Sequence, residues 1–115
     1  MNIEELRTFC LCLPGTTEDI KWEKDLCFCI GEKMYCVTGT EPPFGASFKV
    51  QAEEFEEMCA RSNIIPAPYV ARYKWVAVRS GDALSRSEWE HYVKQSYDLV
   101  KAKLPKKKRL ELKID

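Results

Sequence analysis

Residues 27–36 read CFCIGEKMYC, three cysteines in ten residues, two of them in a C-x-C step. The reading of this stretch separates a sulfur-based site from a β-hairpin. Taken as a two-residue turn, Gly31-Glu32 pairs Ile30 with Lys33, Cys29 with Met34, Phe28 with Tyr35 and Cys27 with Cys36. One face then carries Leu26, Phe28, Ile30, Tyr35 and Val37, enough to build a core. The other carries Cys27, Cys29, Met34 and Cys36. Structural zinc wants four ligands, usually in paired C-x2–4-C knuckles that wrap the ion. A C-x-C step on a strand instead points both sulfurs the same way, ~6–7 Å apart along extended backbone. The single histidine, His91, lies far along the chain, and Cys10 and Cys12 diverge around a helix. The stretch therefore reads as a hairpin of small, packable side chains, with no metal and no cofactor expected.

Outward from the hairpin, a chain of 115 residues fits one domain, 1–115, ending in a basic segment, 101–115. Hydrophobic residues at 45% and charged residues at 31% exclude a disordered tail. No apolar run approaches the ~20 residues of a membrane-spanning helix, so no membrane partner is expected. MNIEELRTFCLCLPG lacks the basic start of a secretory leader, which makes the cytoplasm the expected location.

The flanking patterns predict an α+β domain of two layers, an antiparallel β-sheet with helices on one face, in the order α-β-β-β-α-β-β-α. Asn2 with Glu5 caps a first helix whose inward stripe is Ile3, Leu6, Phe9, Cys10 and Leu13, stopped by Pro14-Gly15. Phe44, Ala46, Phe48 and Val50 alternate as a half-buried strand. AEEFEEMCARS gives a short second helix, IIPAPY an edge or loop, and RYKWVAV a strand. Ser85 or Ser87 opens a long helix with Trp89, Tyr92, Val93, Tyr97, Val100 and Leu104 inward, and Pro105 ends it. Glu18 and Asp19 read as solvated acids of a turn.

No catalytic constellation stands out. The chain has no G-x-S-x-G elbow, Walker loop or G-x-G-x-x-G. His91 reads as a surface or boundary residue, and no base is placed beside any cysteine. The expectation is a protein that is not an enzyme. Charge is more informative. Residues 1–57 hold five Lys and Arg against twelve Asp and Glu, whereas 58–115 hold thirteen against six. The densest run, Lys101, Lys103, Lys106, Lys107, Lys108 and Arg109, reads either as a solvated, frayed tail or as part of a basic surface.

LPGTTED (13–19), GEKMY (31–35), FKV-x-AEEFEEM (48–58), PAPY-x-x-RYKWV (66–76) and SYDLVKAKLPKK (96–107) occur in an order and spacing that resemble the MmcQ/YjbR-like family. The resemblance implies a compact α+β domain similar to the frataxin and secretion-chaperone folds, and DNA binding through a "double wing" of hairpins. Where many members have histidine before the tryptophan, this chain has Lys74, and Arg72 stands where lysine is common. The LPKK stretch is intact at Leu104–Lys107. Two functions follow as expectations. In one, Arg72, Lys74 and Arg79 of the second hairpin join Lys101, Lys103, Lys106, Lys107, Lys108 and Arg109 on DNA phosphates, without sequence readout. Trp75 or Tyr73 would then stack on an unpaired base or, more ordinarily, belong to the core. In the other, the domain is an adaptor that docks another protein on its apolar aromatic surface. A small-molecule enzyme ranks third.

Overall fold

The computed structural model describes residues 1–114. Helix α1 (Ile3–Leu11) leads into strands β1 (Thr16–Lys21), β2 (Asp25–Ile30), β3 (Lys33–Gly39) and β4 (Ala46–Lys49). Helix α2 (Ala52–Cys59), strands β5 (Ile64–Pro66) and β6 (Trp75–Val78), and helices α3 (Arg86–Ala102) and α4 (Lys106–Leu112) complete the chain. The strands form one open sheet in the order β1-β2-β3-β4-β6-β5, antiparallel throughout. This is the expected two-layer α+β class, with one strand and one helix beyond the expected order.

The extra strand is β1. TTEDIK has an irregular burial pattern because it lies at the sheet edge, so the period-2 signal of a half-buried strand is weak. Glu18 and Asp19 are strand residues opposite Phe28 and Cys27, not turn residues. Glu18 faces the helices and takes the Arg7 guanidinium of α1 at 2.6 and 2.8 Å. The extra helix is α4. The basic run does not fray, because Leu112 and Ile114 pack against the core behind it.

The hairpin turn forms at Gly31-Glu32 as expected, with φ of 56° and 69°, the left-handed pair that a type I′ turn requires. Gly31 is needed twice, since a Cβ there would lie 2.8 Å from Leu104. The register then departs from the regular one. Ile30 pairs with Lys33 and Cys29 with Met34, but Phe28 pairs with Cys36 and Cys27 with Val37. Tyr35 is the extra residue of a β-bulge. Tyr35 and Cys36 both turn to the helix side, and Val37 moves to the opposite face, so the expected thiol cluster is split. Cys36 joins Cys10 in the core, and only Cys27 and Cys29 stay on the other side. All six cysteines are unbridged. Burial pushes the Cys27 thiol up to about 11, and the neighbouring Cys29 adds to the shift.

The core lies between the sheet and helices α1 and α3, with Phe28, Ile30, Phe48, Val76 and Trp89 fully buried. Its buried rings and hydroxyls are paired. Trp89 Nε1 donates to the Gly81 carbonyl at 2.9 Å, and the Tyr35 hydroxyl donates to the Cys10 carbonyl and shares a hydrogen bond with Thr16. Ser96, fully buried on α3, closes the bulge: its hydroxyl donates to the Tyr35 carbonyl at 2.6 Å and accepts from the Lys49 N–H at 2.9 Å.

Ser96→Ala leaves both backbone groups unpaired in the interior. At about 1–3 kcal/mol for each buried group orphaned, the variant should lose ~2–4 kcal/mol by urea unfolding at unchanged m-value. A loss below ~0.5 kcal/mol would mean the bulge does not depend on this side chain.

Glu88 ties α3 to the end of α2. It caps its own helix by accepting from the Ser85 N–H at 3.0 Å and takes Arg61 at 2.9 and 3.3 Å. Arg61, and next the Ser85 N–H, lower its carboxyl from 4.5 to about 2. A carboxyl depressed in the folded state stabilises fully above its unfolded value and loses that contribution as pH falls towards about 2. The stability deficit of Glu88→Gln should therefore be largest at neutral pH and shrink steadily below ~4.5. A pH-independent deficit would exclude the ion pair as its origin.

Candidate functional site

The helices cover one face of the sheet, and the other carries a groove. Its floor is Met34 and Val37 of β3, Ser47 of β4 and Trp75 of β6, and the cavity above it measures about 560 Å³. The bulge makes this floor. Without the extra residue, Met34 and Val37 would face opposite sides of the sheet. Trp75 is 8% exposed yet lies on this open face, because its cross-strand partner is Lys49 and not Phe48. The expectation that Trp75 belongs with the core therefore holds for its burial and not for its face.

Two aromatics wall the groove and are poorly buried. Trp22 in the β1–β2 turn is 70% exposed, and Tyr69 in the β5–β6 connection is 100% exposed. Both sit in the left-handed region, with φ of 53° and 71°. Large side chains rarely adopt it, at a cost of roughly 1–2 kcal/mol per residue. Neither residue recovers that cost by burial. At Trp22 the hairpin turn asks for it, since Trp22 and Glu23 (φ 67°) form a left-handed pair between β1 and β2 as Gly31-Glu32 does between β2 and β3.

Towards the start of β3 the groove opens into a second cavity of about 360 Å³ that shares Met34, Val70 and Trp75 with the first. Lys33, Lys49 and Lys103 line it, with Tyr73 at its rim, 51% exposed. Among the described residues no acidic side chain lines this cavity, and none of the three lysines has an ion pair. Lys49 donates to the Tyr73 carbonyl. Burial, and next the charge of Lys103, lower its pKa. A half-buried ammonium facing a like charge without a counter-ion is stabilised by any anion that comes beside it. At the far end of the groove stands Asp25, its one acid among the described residues.

The structure distributes the residues expected from the sequence over several surfaces. Lys103 enters the groove. Arg72 borders it, stacked at 4.8 Å over the ring of Tyr73 and donating to its hydroxyl at 2.8 Å. Lys74 turns away, 5.0 Å over the Phe55 ring of α2. Arg79 leaves the opposite end of β6, roughly 16 Å from Lys74 along the strand. Lys101 donates to the Ile114 carbonyl at 3.2 Å, and Arg109 donates to the Ala102 and Leu104 carbonyls at 3.4 and 3.2 Å. Lys108 lies 3.8 Å from Glu32, and Lys106 and Lys107 are exposed on α4. Lys33, Lys49, Trp22 and Tyr69 are additions. Lys49 had a signal, since it alternates with Phe48 and Val50 and so belongs to the open face. Trp22 and Tyr69 had none, because left-handed backbone at a bulky residue is invisible to periodicity.

A two-layer α+β domain with an open, aromatic-walled sheet face is the class of protein this geometry defines. The YjbR family model matches residues 11–99, and the chain belongs to that family. Its fold is similar to the crystal structure of a Deinococcus radiodurans protein with a DUF419 domain, at a TM-score of 0.89 and 28% identity over 99% of this chain and 89% of that one. A Pseudomonas syringae protein shares the fold at a TM-score of 0.74 and 20% identity, over 87% of this chain and 99% of that one. No curated protein matches the chain.

The strain at Tyr69 is measurable. Tyr69→Gly should leave the domain as stable or up to ~1 kcal/mol more stable by urea unfolding, because glycine adopts this φ freely and the ring buries nothing. A loss above ~1.5 kcal/mol would show that the ring supports the fold.

Proposed function

We propose that this protein is a non-enzymatic binding module that takes single-stranded DNA across the helix-free face of its sheet. One observation carries the reading: exposed rings at Trp22 and Tyr69 line a cavity that joins one lined by Tyr73 and by Lys33, Lys49 and Lys103, which among the described residues have no acidic partner. Aromatic rings offer stacking platforms to unpaired bases, and uncompensated cations track the phosphates. A duplex fits this reading less well, since its bases are stacked on one another and the groove wall would have nothing to engage. Arg72 extends the cationic border through Tyr73, while Lys106 and Lys107 stand apart on α4 and contribute only long-range attraction. Six unbridged cysteines fit a reducing compartment such as the cytoplasm.

The apolar floor of Met34, Val37 and Trp75 supports a second reading, in which an apolar segment of another protein docks there. Salt separates the two. Three to five phosphate contacts give a log–log slope of affinity against salt of about −2 to −3.5 for a single strand, at ~0.7 counterions released per contact. Fluorescence anisotropy of a labelled oligodeoxynucleotide across a salt series should show that slope. Lys33→Ala with Lys49→Ala and Lys103→Ala should flatten it by about 2, and Lys106→Ala with Lys107→Ala should change it by less than ~0.7. A larger effect from the α4 pair would move the site to the helix. Absence of binding at low salt would leave the protein-docking reading.

A further inference from the structure

We propose that the aromatic end of the groove reads one extruded base and prefers guanine, with the Asp25 carboxylate as the acceptor for its Watson–Crick edge. The inference deepens the single-strand reading above and rests on it. The cavity between Trp22 and Tyr69, at about 560 Å³, lies within the ~300–1,000 Å³ of small-ligand sites and has room for a purine. Two rings, Trp22 and Tyr69, line it from opposite edges of the sheet, and its floor is apolar apart from Ser47, which suits a flat aromatic guest.

Polarity gives the orientation. The lysines stand at one end and Asp25 at the other, so a nucleotide with its phosphates on Lys33, Lys49 and Lys103 directs its base towards Asp25. Asp25 is half-buried, and among the described residues no donor reaches its carboxylate. Lys21, its cross-strand neighbour, makes no ion pair with it. An ionised carboxylate only accepts, with two oxygens side by side. Guanine alone among the DNA bases presents two adjacent N–H donors, N1–H and N2–H, on its Watson–Crick edge. Adenine and cytosine offer one amino donor next to a ring nitrogen that would face the carboxylate lone pairs. Thymine offers one N–H between two carbonyls, which repel the same oxygens. The acid that opposes phosphate binding in general is thus suited to one base.

The test uses the full chain and labelled deoxythymidine oligonucleotides of about ten residues, identical except for G, A, C or T at the centre. A bidentate contact predicts roughly five- to hundredfold tighter binding of the G oligonucleotide by anisotropy at fixed low salt. Asp25→Asn should level the four affinities, since an amide presents one acceptor and one donor group where guanine needs two acceptors. Tyr69→Gly, at an exposed position whose backbone suits glycine, should weaken all four together. Equal affinities in the unsubstituted protein would overturn the inference and leave the single-strand reading standing. So would a preference for another base. A guanine preference that survives Asp25→Asn would overturn the role of the carboxylate. No binding to any of the four would overturn both readings.

Discussion

The extra residue at Tyr35 is the constraint on which both faces of the sheet depend. It lets two consecutive residues, Tyr35 and Cys36, point into the core, where Tyr35 meets the ring of Tyr97 edge-on at 5.4 Å. It also puts Met34 and Val37 together on the opposite face, and so makes the groove floor. A bulge leaves backbone groups without ladder partners, and in a buried strand those groups must be paired. Ser96 does this from α3 with a single hydroxyl, acting as donor to β3 and acceptor from β4. The same contact fixes the long helix across the middle of the sheet. Core, helix placement and groove therefore share one polar tether, and Lys49, whose N–H it holds, is one of the three lysines that line the cationic cavity.

Much of the fold is legible in the sequence because it is written in local chemistry. Asn2 with Glu5 and Ser85 with Glu88 form reciprocal capping boxes, and Pro105 ends the long helix where proline must. Gly31 marks the hairpin turn and the apolar stripes mark the buried faces. The bulge is not legible, because CFCIGEKMYC is compatible with either register: cysteine packs on both faces, and only the α3 hydroxyl, some sixty positions away, selects one. Strand β1 is hidden for another reason. Its acids suggest a turn, yet Glu18 is tolerated on the helix side because Arg7 reaches it from α1. The site is legible in part. Lys103 and the border residue Arg72 follow from charge, while Trp22 and Tyr69 are held by backbone conformations that no pattern announces.

Dense and scattered cations have different fates here. The run from Lys101 to Arg109 attracts attention in the sequence, but several of its members are engaged within the fold. Arg109 satisfies carbonyls where α3 ends, Lys101 reaches Ile114, and Lys108 approaches Glu32. Cations near a helix C-terminus are stabilising in this way whatever the protein binds. Lys33 and Lys49 belong to separate strands and are unremarkable in the sequence, yet with Lys103 they converge where, among the described residues, no acid neutralises them. A run of charge says that positive residues are present; the fold decides which of them retain an unsatisfied field.

On the proposed function, the helix-free face, and not the basic C-terminal helix, is the binding surface. Backbone amide shift mapping by NMR during titration with a single-stranded oligonucleotide tests it directly. The largest shifts are expected at Trp22, Met34, Val37, Lys49, Tyr69 and Trp75, with small ones over the outer face of α3 around His91. Shifts confined to α4, with Met34, Val37 and Trp75 unmoved at saturation, would contradict it.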